Sequence, residues 1–177
     1  MRFTETRLSG AYLIDVAPFE DERGLFARSF CTREFAEHGL VPDYVQANLS
    51  VGHRAGTLRG LHYQRPPHAE VKVIRCVRGA FFDVIVDLRP GSTTYREWFG
   101  VELTADNHTA LYVPEGFGHG FMTLADDTEA NYMVSAFYTP DAEGGLRWDD
   151  PAIGIEWPMQ PTVISDKDAA WPDLGTL

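Results

Sequence analysis

Along most of the chain, apolar and polar residues alternate with a period of two, the mark of strands that turn one face inward. Thr57–Gln64 is the clearest stretch: Leu58, Gly60, His62 and Gln64 fall on one face, Thr57, Arg59, Leu61 and Tyr63 on the other. Tyr44–Val51 alternates as cleanly, with Val45, Ala47 and Leu49 opposite Gln46, Asn48 and Ser50. The same reading predicts strands over Ala11–Val16, Leu25–Phe30, Val71–Val77, Ala80–Leu88, Glu97–Thr104, Thr109–Val113, Gly118–Leu124 and Glu129–Tyr138. Within Leu25–Phe30, the face Phe26, Arg28, Phe30 opposes Leu25, Ala27, Ser29; within Ala80–Leu88, Asp83 and Asp87 oppose the apolar Phe82, Val84, Val86 and Leu88. Helix is predicted only over Arg33–His38, with Thr32 as N-cap and Gly39 closing it, and as a short turn opening at Ser165-Asp166-Lys167-Asp168. From Thr139 the chain is rich in Pro, Gly and Asp, and Trp148-Asp149-Asp150-Pro151 and Ile155-Glu156-Trp157-Pro158 read as loops pinned by tryptophans. About ten short strands with turns between them make an all-β sandwich or barrel.

Composition narrows the function classes. The 177 residues suffice for one domain, 1–177, around one large core. A net charge of -11 argues against a nucleic-acid partner, yet a few local arginines can still make one pocket attractive to an anionic small molecule. Cys31 and Cys76 match no metal or redox spacing and read as free thiols of a cytoplasmic protein. No segment is apolar and long enough to span a bilayer, so no membrane partner is expected.

Candidate chemistry gathers around His62, which sits mid-strand beside the side-chain-free Gly60. The spacing Gly56…His62, followed by Pro114-Glu115-Gly116-Phe117-Gly118-His119, resembles the two half-motifs of the cupin jelly rolls, G-x5-H-x-H-x3,4-E-x6-G and G-x5-P-x-G-x2-H-x3-N. The second histidine of the first half-motif is replaced by Gln64, and positions 68 and 69, where its glutamate belongs, hold His68 and Ala69. His62 and His119 alone make a poor site for zinc or iron, so no metal is expected. Side-chain acid–base chemistry then remains: His62 as a base near neutral pH, Lys72 to neutralise an oxyanion, Tyr132 to donate a proton, and Asp83 as a further polar group.

A longer set of residues points further. Asp21-Glu22-Arg23-Gly24, Val45-Gln46-Ala47-Asn48-Leu49-Ser50, Gly56 to Gln64, Asp83 to Arg89, Val113 to Phe121, Arg147-Trp148-Asp149-Asp150-Pro151 and Ser165-Asp166-Lys167-Asp168, in this order, resemble the dTDP-4-dehydrorhamnose 3,5-epimerases. The likeness runs from about Phe3 to about Pro172. It implies a cupin-type jelly roll with a few short helices, and cofactor-independent epimerisation at C3 and C5 of a nucleotide diphosphate-linked 4-keto-6-deoxyhexose. It implies His62 as base, oriented by Asp168 in preference to Asp166, Lys72 as partner of the enolate and Tyr132 as the acid that returns a proton. Arg23, Gln46, Asn48 and Arg59 are implied to hold the nucleotide diphosphate. His119 and Asp83 are further candidates for contact with the substrate. The resemblance also implies a homodimer that exchanges N-terminal strands, so that Arg23 serves the neighbouring site. The chain departs from the family pattern at Arg28, where a glutamate is usual. With Phe26 and Phe30 beside it, this guanidinium would make a platform for a base or a pyrophosphate. A CDP- or GDP-linked sugar, inversion at one carbon only, and a silent nucleotide-sugar-binding cupin stay open as alternatives.

Overall fold

The computed structural model describes residues 1–176. Its strands are β1 (Arg2–Glu5), β2 (Tyr12–Asp15), β3 (Phe19–Asp21), β4 (Gly24–Phe26), β5 (Gln46–Gly52), β6 (Thr57–Gln64), β7 (Lys72–Arg78), β8 (Ala80–Asp87), β9 (Trp98–Thr104), β10 (Ala110–Val113), β11 (Phe117–Thr123), β12 (Thr128–Val134), β13 (Glu143–Gly145) and β14 (Val163–Ile164). The helices are α1 (Thr32–Glu37) and α2 (Asp166–Ala169), with two short 3-10 turns. One sheet runs β1-β2-β10-β7-β12-β5; the other runs β13-β6-β11-β8-β9, with β14 added in parallel beside β6. The two face each other as a jelly roll, the architecture predicted from the alternation.

Three apolar layers follow from the period-two pattern. Between the sheets, Phe81 and Ile85 of β8 and Phe121 of β11 pack on Ile74 and Cys76 of β7 and Leu111 of β10. Outside the first sheet, Phe35 of α1 covers Ile14, Val73 and Tyr112. Outside the second, Leu146, Ile153, Trp157 and Leu174 cover Val84, Val86, Phe82 and Leu61. The apolar even face of β8 therefore looks outward, and the segment after Thr139 is its lid. The indole of Trp157 donates to the Trp148 carbonyl at 2.8 Å and fixes that lid. Both faces of β8 are buried, which is why the strand reads as a nearly unbroken apolar run.

Four expectations need correction. The predicted strand Leu25–Phe30 ends at Phe26, because β4 pairs with β3 alone and the chain then turns toward α1. Arg28 is not in a strand, and the shared face Phe26-Arg28-Phe30 does not form. Cys31, not Thr32, is the N-cap of α1, and no side chain caps it. Strand β12 stops at Val134, because the chain leaves the sheet at Ser135, whose hydroxyl accepts from Val71 N. The fourth correction lies in β6. His119 pairs with His62, but Phe121 pairs with Arg59, so two residues of β6 stand opposite Gly120 alone. This bulge breaks the alternation at Gly60, whose φ is +125°. Arg59 and His62, predicted on opposite faces, end on the same one. A Cβ on Gly60 would stand 2.5 Å from the Cα of Gly120 and 2.9 Å from the His119 carbonyl, so the two glycines pack backbone against backbone.

Candidate active site

The site opens between the two sheets, on strands whose inward positions are polar where the core positions further along are apolar. His62 comes from β6, and its Nε2 lies 2.6 Å from Asp168 Oδ1. Asp168 stands on α2, where the Ser165 hydroxyl caps the helix by accepting from Asp168 N at 3.0 Å. The other carboxylate oxygen accepts from Gly60 N at 3.1 Å. Burial alone would raise the Asp168 carboxyl; the bond to His62, its charge and the Gly60 amide outweigh burial and hold it below the usual carboxylate range. A fixed carboxylate on one ring nitrogen leaves the other to accept a proton, and stabilises the imidazolium that results. Asp166 makes no such contact.

Two adjoining cavities share His62, Lys72 and Tyr132 in their walls. The first, about 430 Å³, also has Gln46, Asn48, Glu70 and Tyr138 in its lining. The second, about 280 Å³, is closed by Arg59, His119 and Asp168. Tyr132 is brought there by β12, where it pairs with Ile74 on one side and Asn48 on the other. Burial, and then the charge of Glu70, push its phenol above the ordinary tyrosine value, with Arg59 opposing, so at neutral pH it is a proton donor. His119 Nε2 lies 2.8 Å from Asp83 Oδ1. Asp83 was expected to touch substrate. It is instead completely buried, lines neither cavity, and serves as the support of His119. Burial raises the Asp83 carboxyl against the pull of His119 and Lys72.

The structure gathers His62, Lys72, Tyr132, Asp168, Gln46, Asn48, Arg59 and His119 around one space. It does not bring Arg23, Phe26 or Arg28 to that space within the chain. Arg23 pairs with Asp21 at the tip of the β3–β4 hairpin, and Phe26 is 74% exposed. Arg28 donates to Glu34 at 3.0 Å, and the same carboxylate binds the Met1 ammonium at 2.7 Å. Four polar residues of the first cavity were not singled out from the sequence: Tyr63, Glu70, Tyr138 and Glu143. Glu70 had a signal, since it shares period-two spacing with Lys72 and follows the cupin glutamate position by one residue. Tyr138 and Glu143 had none, because both stand in the irregular chain around β13, where Tyr138 donates to Glu143 at 3.0 Å. Gln64, at the lost metal position, is spent on structure: it donates to the His68 and Phe137 carbonyls and to Glu70, and accepts from Thr139 N. Among the described residues no group of three or more His, Cys, Asp or Glu is placed to hold a metal ion.

Comparison with known proteins agrees with this geometry. The family profile described as dTDP-4-dehydrorhamnose 3,5-epimerase matches residues 5–176. The chain is 46% identical over 178 residues to the dTDP-4-dehydrorhamnose 3,5-epimerase of Sinorhizobium fredii, covering 100% of this chain and 91% of that one. Among solved structures, the dTDP-4-dehydrorhamnose 3,5-epimerase of Bacillus anthracis, with TDP and pyrophosphate bound, superposes with a TM-score of 0.95 at 42% identity, over 98% of this chain and 99% of that one. A 3'-monoepimerase from Streptomyces bikiniensis in complex with dTDP-quinovose superposes at 0.90 with 37% identity, over 97% and 87%. With the profile spanning nearly every residue and relatives of this identity matching end to end, the chain belongs to the dTDP-4-dehydrorhamnose 3,5-epimerase family.

Proposed function

We propose that this enzyme inverts C3 and C5 of a dTDP-linked 4-keto-6-deoxyhexose, in the making of a deoxysugar, with side chains alone as catalysts. The observation that carries the reading is the set formed by the His62–Asp168 pair, Lys72 and Tyr132 around one space. The C4 ketone acidifies the protons on both neighbouring carbons. The ring nitrogen of His62 not bonded to Asp168 removes one of them. The electron pair moves into the C3–C4 or C4–C5 bond, and the resulting enolate oxygen meets the Lys72 ammonium. The Tyr132 phenol returns a proton to the opposite face and the carbonyl re-forms. His62 then holds a proton and Tyr132 lacks one, so exchange with solvent resets both before the second carbon reacts. Arg59, Gln46 and Asn48 hold the nucleotide diphosphate, the guanidinium being suited to paired phosphate contacts.

Incubating the protein in D2O with dTDP-4-keto-6-deoxyglucose, read by NMR, tests this. Deuterium is expected at both C3 and C5, with inversion at both. Deuterium at C3 only would replace the reading by the single-centre one, and none at either carbon would reduce the protein to a binding module. That Arg28 is held by Glu34 argues against its reading the nucleotide on its own, and so against the CDP- and GDP-linked alternatives.

The same reading includes a homodimer. Phe19, Leu25 and Phe26 leave the β3–β4 hairpin apolar and exposed, and β5, at the edge of the first sheet, exposes Leu49. Such a surface is unusual for a lone chain. A hairpin laid on a second copy would deliver Arg23 and Phe26 to that copy's cavity. Light scattering is expected to give about twice the 19.8 kDa chain mass; a one-chain mass would sink the exchange. Two unpaired cysteines and the sugar-nucleotide substrate favour the cytoplasm, and among the described residues no helix is long and apolar enough to cross a membrane.

A further inference from the structure

Glu70 is an acid in the wall of a cavity meant for an anionic substrate. Left unpaired it would repel the ligand, so its presence there asks for a use. Its side chain is only 12% exposed and is held from two sides. One oxygen lies 3.2 Å from the Lys72 ammonium, and the other accepts from the Gln64 amide at 3.2 Å. Gln64 is itself locked, since its amide also binds the His68 and Phe137 carbonyls and Thr139 N. Gln64 and Glu70 together form a rigid bracket behind Lys72.

We propose that Glu70 is a positioning residue, which, held in turn by Gln64, aims the Lys72 ammonium at the space it shares with His62 and Tyr132. The inference rests on the role given above to Lys72. The other carboxylates near the site are taken up elsewhere: Asp168 of α2 by His62, Asp83 of β8 by His119, and Glu143 by Lys167 at 2.6 Å and by Tyr138.

The test is kcat and KM for inversion in wild type, Glu70→Gln and Glu70→Asp. The glutamine keeps the shape and a hydrogen-bond acceptor but removes the ion pair that holds the ammonium. Its kcat is expected to fall about ten- to a hundredfold, the cost of a misplaced catalytic group, with KM little changed, and Glu70→Asp, which keeps the charge, is expected to lose less. A purely structural ion pair would lower thermal stability and leave kcat in place, which overturns the proposal, as does a loss carried by KM alone. If Glu70→Gln does not fold, Glu70→Asp decides: kcat lowered at unchanged KM supports the proposal, and unchanged kcat overturns it. Lys72→Met separates the two layers of argument. Full activity in Lys72→Met sinks the enolate reading itself. Loss of activity there, with normal kcat in Glu70→Gln, sinks only the role of Glu70.

Discussion

His62→Ala is expected to abolish deuterium uptake at both C3 and C5 of the keto-sugar, with kcat lower by about two to four orders of magnitude, the usual cost of a lost general base. One base serves both carbons in this mechanism, because the cavity offers a single imidazole backed by a carboxylate at 2.6 Å that also reaches the shared space. The other cavity histidine, His119, has its carboxylate fully buried behind it and lines only the second cavity. The variant also leaves Asp168 with Gly60 N in place of its strongest partner. Stranding a buried carboxylate costs about 1–3 kcal/mol, so a lower melting temperature is expected alongside lost catalysis. The two effects separate cleanly: substrate affinity is nearly kept, since His62 acts on the proton and not on the nucleotide. Deuterium entering one carbon at near-normal rate in His62→Ala would assign that carbon to another base, with His119 the first to examine.

Most strands were legible because period-two alternation records burial, and burial decides which positions are apolar. The alternation of β5 separates its two faces but inverts their sense: Gln46 and Asn48 are half-buried toward the cavity, while Ala47 and Leu49 are exposed. Alternation fails at Gly60 for a definable reason: a bulge adds one residue, moves Arg59 onto the face of His62, and leaves no trace in the polarity pattern except the glycine itself. Strand β1 escaped notice because Arg2, Thr4 and Glu5 are exposed polar residues on a sheet edge, with Phe3 the single half-buried contact. The tail could not be placed by pattern at all. Asp168 reaches His62 across 106 positions in sequence, through a lid whose packing depends on scattered residues such as Trp157 and Leu174. Only resemblance named Asp168 beforehand. Glu70 was passed over because an acid beside a lysine looks like an ordinary surface pair. What distinguishes it is burial and the Gln64 amide, and both are tertiary facts.

Tyr132→Phe is expected to separate exchange from inversion. The phenyl ring keeps its packing against the inter-sheet core. Among the described residues no hydrogen-bond partner of the Tyr132 hydroxyl is found, so its removal strands no buried group and the fold should persist. What is lost, on the proposed mechanism, is the acid that acts on the face opposite His62. With the phenol gone, His62 can still remove a proton, exchange it with solvent and return a deuteron to the side it left. Deuterium should therefore appear at C3 and C5 with retention, while inverted product falls by about two to four orders of magnitude. Substrate affinity should change little, because the hydroxyl acts on the enolate and not on the bound sugar. The raised phenol adds a second readout. The wild-type alkaline limb that reports Tyr132 deprotonation should be missing from the residual exchange of the phenylalanine variant. If exchange and inversion fall together, Tyr132 is needed to form the enolate as well as to quench it. If inversion is unaffected, water or another group is the acid, and the assignment of Tyr132 fails.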